Sequence, residues 1–172
     1  MDPIILAGNT APEFSLPELE GELHHLSGYR GRLVVLNFWS AECPWAKRAD
    51  RQLLEYLEQW PDKVILLPVA SNANEAPEML ARVAAERGLP PVLHDTQRQV
   101  ADLYGAQTTP HLFLIDEAGI LRYQGALDDV TFRRRQPTQH YLRQAVDALL
   151  AGRQPEPTQT QPYGCALVRY RF

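Results

Sequence analysis

Cysteine is scarce in this 172-residue chain, which has only Cys43 and Cys165. Lysine is scarce too: Lys47 and Lys63 are the only two among 17 basic residues, a bias that nothing in the sequence explains. No apolar run approaches the roughly 20 residues of a membrane-spanning helix, so a membrane partner is not expected. The start, MDPIILAGNTAPEF, has no basic region and only a short apolar run, unlike a secretory signal, and the expected location is the cytoplasm. A net charge of −4 without a basic stripe argues against a nucleic-acid partner. His24-His25 and the two cysteines lack metal-ligand spacing, so no metal and no cofactor is expected. In a reducing compartment two cysteines seldom form a permanent staple. Catalytic or redox-sensing use is the stronger expectation.

What is present fits one globular domain with a full core: 45% of residues are hydrophobic and 22% charged. Ala11 to Leu16 is extended after a disordered-looking start, and Glu20 to Arg32, punctuated by Gly21, Gly28 and Gly31, reads as turns around a small hairpin. Leu33 to Trp39 is a continuous apolar run, expected as a strand buried on both faces. Pro44 to Gln59 places Leu53, Leu54 and Leu57 at helical spacing before Pro61 stops it. Val64 to Ala70 is a second buried strand. Ser71-Asn72-Ala73-Asn74 is expected to cap a helix from about Glu75 to Arg87, closed by Gly88. A short strand around Val92 to His94 and a short helix from Thr96 to Tyr104 follow. Leu112 to Asp116 and Ile120 to Gln124 form a hairpin, and Thr138 to Leu150 the last helix.

The order β-α-β-α-(β)-α-β-β-α implies an α/β fold with a central mixed, mostly parallel sheet, helices on both faces and an antiparallel hairpin at one side. One domain is expected over residues 1–152. Beyond Gly152 the stretch RQPEPTQTQPYG is rich in Pro and Gln, the composition of a mobile or extended linker, and the 153–172 tail ends in Gly164-Cys165 and the strand-like ALVRYRF.

The chemistry concentrates at Trp39-Ser40-Ala41-Glu42-Cys43-Pro44-Trp45-Ala46. A cysteine where a strand feeds a helix has unpaired N–H groups and the positive end of the helix dipole pointing at its sulfur. Both favour the thiolate, which is the nucleophile. Pro44 suits the first helical position. Glu42 opposes a thiolate and Lys47 favours it. Trp39 packs the site, while Trp45 offers a contact surface. The competing view of Cys43 is an inert core cysteine.

These residues, with the APEFSL opening, Thr109-Pro110 before a strand and the C-terminal Gly-Cys, resemble a thioredoxin-fold redoxin of the peroxiredoxin-like group, in the alkyl hydroperoxide reductase and thiol-specific antioxidant superfamily. The resemblance runs from Ala11 to about Tyr170. It implies a thioredoxin-like fold and a cis Thr109-Pro110 bond beside Cys43, where the Thr109 backbone pairs with a substrate chain. Thioredoxin-like proteins use a Cys-x-x-Cys pair, but here Ala46 stands in the fourth position. Peroxiredoxins carry a proline seven residues before their cysteine and a Thr or Ser three before; Ser40 fits and Leu36 does not. One subgroup of these redoxins has a comparable Gly-Cys tail. An arginine is required by peroxidases of this class, and Arg122 is one choice.

The expected function is a thiol oxidoreductase with antioxidant character, in which Cys43 attacks a peroxide or a disulfide and Ser40 with the helix N-terminus stabilises its thiolate. Cys165, or an outside thiol such as glutathione or thioredoxin, resolves the product. Cys165 is otherwise an incidental tail cysteine. The linker spans roughly 40 Å at about 3.3 Å per residue, so reach suffices, but a disulfide needs Cα atoms within about 7 Å and the tail has to dock. His111 reads as a structural histidine and Arg133-Arg134-Arg135 as a solvated turn, with anion or partner binding as the lesser alternative. A non-enzymatic binding module and a redox sensor remain open, as does monomer against homodimer.

Overall fold

The computed structural model describes residues 5–170; the first four residues of the disordered-looking start and the last two of ALVRYRF lie outside them. A hairpin of β1 (Ser15–Pro17) and β2 (Leu23–His25) precedes the main sheet. Then come β3 (Leu33–Trp39), α1 (Pro44–Gln59), β4 (Val64–Ala70), α2 (Pro77–Arg87), β5 (Leu93–His94) and α3 (Gln99–Tyr104). The remaining elements are β6 (Thr108–Thr109), β7 (His111–Ile115), β8 (Leu121–Gly125), α4 (Tyr141–Leu150) and β9 (Cys165–Ala166).

The sheet order is β5-β4-β3-β7-β8. β3, β4 and β5 are parallel, β7 is antiparallel to β3, and β8 is antiparallel to β7, so only β7 runs against the rest. Every residue of β3 is buried. Its alternation sends Val34, Leu36 and Phe38 into a core with Phe14, Tyr104 and Phe113, while Leu33 and Val35 meet Leu53 of α1 and Leu142 of α4. This is the mixed, mostly parallel α/β arrangement that the hydrophobic pattern implies.

Three helices start later than their sequence suggests, and in each case a side chain has been diverted. α2 begins at Pro77 with Ala76 before it and no side-chain cap. Ser71 instead donates to Asp95 at 2.8 Å, and the Asn72 carbonyl accepts the Val168 N–H at 2.8 Å. α3 begins at Gln99 because Asp95 accepts the Val100 and Ala101 N–H groups from outside the helix. α4 begins at Tyr141 because Asp129 takes the Thr138 and Gln139 N–H groups into the preceding loop.

The stretch after Gly152 is extended but not free. Gln124 N–H donates to Thr158 O and Thr160 N–H to Gln124 O, while the Thr160 hydroxyl bonds Tyr123 OH and accepts the Ala126 N–H. The approach is close enough that a Cβ on Gly125 would lie 2.4 Å from the Thr160 carbonyl oxygen, at a backbone φ of +140°. A Pro- and Gln-rich segment lacks apolar anchors, yet its backbone satisfies the open edge of β8 and so stays put.

His111 opens β7, buried and stacked on Phe113 at 4.5 Å, with its Nδ1 accepting the Gln107 N–H. Burial pushes its pKa down from 6.5 to about 4. Below pH 6.5 the unfolded chain therefore takes up a proton that the folded chain refuses, so this contribution to stability is lost as pH falls from 6.5 towards 4. The expected cost near pH 5 is about 2 kcal/mol. Urea unfolding at neutral pH and near pH 5 should show the loss in the wild type and a smaller one in His111→Gln; equal losses would contradict the assignment.

Candidate active site

Cys43 is the residue before α1 and only 4% exposed. It packs with Trp39, Ala41, Ala46 and Leu80, with Trp45 and Cys165 at the rim. A polar network holds this corner. Trp39 Nε1 donates to Asp50 at 2.7 Å, and Arg87 donates both to Asp50 at 2.8 Å and to the Ala41 carbonyl at 2.7 Å. The same guanidinium lies 5.6 Å from the Trp39 ring. Burial raises the Asp50 carboxyl above its ordinary value despite these donors. The Glu42 N–H is taken by Glu75 at 3.0 Å, so the turn between β3 and α1 is fixed on two sides.

Across the site stands Thr109-Pro110, joined by a cis peptide bond. Cys43 Sγ donates to the Thr109 carbonyl at 3.1 Å. The chain's own tail occupies the Thr109 backbone: β9 runs antiparallel to β6, with Thr109 opposite Cys165 and Thr108 opposite Ala166. Gly164 makes this possible, since a Cβ there would lie 2.2 Å from the Thr109 oxygen and 3.0 Å from Pro110 Cδ. Beyond the strand, Leu167 N–H donates to Gln107 O, Ala73 N–H to Val168 O, and Arg169 to Asp102 and to the Ala106 carbonyl. Before it, the Tyr163 ring meets Trp45 edge-on at 4.9 Å and its hydroxyl accepts the Phe132 N–H at 2.7 Å.

The two thiols interact directly. Burial pushes the Cys43 thiol up, but hydrogen bonds from the Cys165 thiol, the Thr109 side chain and the Ala46 N–H outweigh it, and the pKa falls below the usual cysteine value. Burial and the neighbouring Cys43 sulfur push Cys165 up to about 11. The Thr109 hydroxyl is buried without a well-formed hydrogen bond among the described residues, and the Cys43 sulfur is the group beside it that can use it.

Most of the residues singled out in the sequence converge here. Trp39, Pro44, Trp45, Thr109, Pro110 and Cys165 surround Cys43. Ser40 is buried at the end of β3, but it is not among the groups that hold the Cys43 sulfur; its expected part falls to Thr109, which reaches the site from another strand. Glu42 and Lys47 are exposed and do not shift the thiol either. Arg122 pairs with Asp116 at 2.7 Å and contributes no charge to the site. Asp50, Arg87 and Tyr163 were not anticipated. The buried indole of Trp39 needs an acceptor, a signal that points to some carboxylate in α1, but no local pattern announces Arg87 or Tyr163.

Thr109→Val, which keeps the shape and removes the hydroxyl, should raise the Cys43 pKa. Ser40→Ala should leave it unchanged. The pH dependence of Cys43 alkylation by iodoacetamide measures both, and a shift in Ser40→Ala alone would reverse the assignment.

Residues 7–124 match the AhpC/TSA family. The chain is 37% identical over 118 residues to thiol-disulfide oxidoreductase ResA of Geobacillus thermodenitrificans, a match covering 67% of this chain and 66% of that protein. It is 32% identical over 138 residues to thiol:disulfide interchange protein DsbE of Vibrio cholerae, covering 78% of this chain and 72% of that one. The chain thus spans about two thirds of the length of ResA. The crystal structure of a conserved protein of Geobacillus kaustophilus superimposes with a TM-score of 0.87 at 29% identity, over 99% of this chain and 94% of that one. A thioredoxin-like α/β sheet, a cysteine at the mouth of its first long helix and this match over most of the length lead to one conclusion: the chain belongs to the AhpC/TSA family.

Proposed function

We propose that this protein is a thiol-dependent oxidoreductase that cycles Cys43 and Cys165 between dithiol and disulfide, in exchange with the disulfides of partner molecules. The observation that carries this reading is the pairing of Thr109 with Cys165, which packs the tail cysteine against the cluster around Cys43. The tail supplies what Ala46 lacks. In the oxidising half-cycle the Cys43 thiolate attacks one sulfur of a substrate disulfide, forming a mixed disulfide and releasing a first thiolate. Cys165 then gives up its proton and attacks Cys43 Sγ, closing the Cys43–Cys165 bond and releasing the second thiolate. Two electrons and two protons pass from the protein to the substrate. Glutathione or thioredoxin, as an outside thiol, returns the pair to the dithiol.

Access needs motion. With the tail docked Cys43 is 4% exposed, so a bulky disulfide reaches it only when β9 leaves β6. A two-residue strand opens locally at small cost.

The same low exposure favours a second reading, in which a small peroxide is the oxidant. Cys43 would become a sulfenic acid, and Cys165 would condense with it and release water. Disulfide exchange is preferred because no arginine is among the groups that stabilise the Cys43 sulfur. Arg87 is spent on Asp50 and the Ala41 carbonyl, and Arg122 on Asp116.

Treatment with hydroxyethyl disulfide, followed by non-reducing peptide mapping, should yield a Cys43–Cys165 peptide. Cys165→Ser should accumulate a mixed disulfide on Cys43, and Cys43→Ser should lose turnover. Gly164→Ala should fold but close the internal disulfide at least about tenfold more slowly, because the tail is pushed off Thr109. Absence of the internal disulfide under every oxidant would remove the proposal. Closure that is fast with hydrogen peroxide and slow with disulfides would select the peroxide reading.

A further inference from the structure

The loop between β8 and α4 holds an aromatic ring in water without a packing reason. Phe132 is 73% exposed, yet its surroundings are firmly built. Arg48 grips both oxygens of Asp128 at 3.3 and 2.6 Å, Asp129 holds the Thr138 and Gln139 N–H groups, and Thr131 N–H closes a turn on Arg134 O at 2.9 Å. The Phe132 N–H is fixed by Tyr163, the tail residue that packs on Trp45. A large apolar side chain held in solvent by a rigid backbone marks a contact surface more than a folding need.

The charge beside it is just as local. Arg133, Arg134 and Arg135 are all exposed in a chain whose net charge is −4. Arg134 leans on Asp129 at 3.8 Å, whereas Arg133 and Arg135 make no ion pair among the described residues. Trp45, Arg48, Val130, Thr131, Phe132 and Arg135 enclose a cavity of about 310 Å³. An adjoining recess shares Trp45, Arg48 and Val130 and reaches Pro110 and Tyr163. Trp45 and Cys165 both pack against the cluster around Cys43, so the cavity begins beside the redox pair.

We infer that this face is a docking surface for an acidic protein segment that places an apolar side chain between Trp45 and Phe132 and carboxylates against Arg133 and Arg135. Its cysteine, a few residues along, then meets the Cys43–Cys165 pair. A small neutral thiol has no use for the two rings, and a basic segment is repelled. Charge of this kind acts mainly on partner choice and encounter rate, and salt weakens it. The inference rests on the exchange reading for its chemical consequence, but the docking itself is measurable without any exchange.

Two eight-residue peptides test it: one with a single cysteine flanked by a leucine and three glutamates, the other with lysines replacing the glutamates. As homodisulfides, each accepts two electrons and two protons from the reduced protein and yields two peptide thiols and the Cys43–Cys165 disulfide. The acidic peptide should react at least about fivefold faster at low salt, an advantage lost in about 0.5 M salt. Phe132→Ala and the double variant Arg133→Glu/Arg135→Glu should abolish the preference while leaving reaction with hydroxyethyl disulfide unchanged. The acidic peptide with serine in place of cysteine should bind the wild type, read by tryptophan fluorescence, and not the variants. Equal rates, a preference that survives the variants, or no binding of the serine peptide would overturn the proposal. So would dimerisation abolished by Phe132→Ala without a peptide preference, which would assign the face to a second copy of the chain. Binding of the serine peptide without exchange in any peptide would uphold the surface and count against the exchange reading instead.

Discussion

The Gly164 backbone lies so near the Thr109 carbonyl that a methyl group at that position would sit 2.2 Å from the oxygen, and the geometry of the whole site follows from this approach. Any larger residue would lift the tail off Thr109 and take Cys165 with it. With glycine there, β9 pairs with β6, Leu167 to Arg169 find partners on the far side of the site, and Tyr163 reaches Trp45 on the near side. A strand of only two residues is thus held by anchors on both flanks. The second thiol arrives through tertiary docking, where a Cys-x-x-Cys helix turn would have supplied it locally.

The site's electrostatics rest on short hydrogen bonds instead of a counter-ion. Burial disfavours a charged Cys43, and the compensating groups are a thiol, a hydroxyl and an amide. Arg87 is committed to Asp50 and the Ala41 carbonyl, where it fixes the turn that carries Cys43. Lys47 points to solvent. The lowered Cys43 pKa depends on the tail being in place, because Cys165 is among the groups that lower it. Reactivity and docking are therefore coupled: the arrangement that lowers the Cys43 pKa is also the one that covers its sulfur.

In the exchange proposed above, the tail holds the Thr109 backbone that a partner chain would pair with. Opening it would free that backbone, and closing it would return Cys165 to Cys43. Such an equilibrium needs the docked state to be only modestly stable, and a two-residue ladder between polar anchors meets that requirement. Trp45 links the two sides of this balance, since it touches Tyr163 of the tail and lines the exposed cavity next to Phe132.

Much of the fold was legible in the sequence because its signals are local. The run from Leu33 to Trp39, the helix from Pro44 to Gln59 and the strand from Val64 to Ala70 have the bounds that hydrophobic pattern and proline placement imply. Cys43 at a strand-to-helix junction was equally plain, as was the suspicion attached to Gly164-Cys165. Helix starts were misjudged where the Asn72 side chain, part of the expected cap, goes to Val168, and where Asp95 and Asp129 take backbone N–H groups from outside the helices. The linker is extended, one of the two states its composition allowed, and what holds it is backbone pairing with β8, which composition does not record. Ser40 and Thr109 show the same division: both carry hydroxyls, and only the packing of β6 against the turn before α1 selects the one that meets the sulfur. Sequence by itself determined the main strands, the helix that follows Cys43 and the place of that cysteine at the helix mouth, because burial period and proline placement act over a few residues. Tertiary structure alone decided where Cys165 sits, which groups bear the thiolate and where Arg87 is spent, because each depends on segments that meet only when the chain folds.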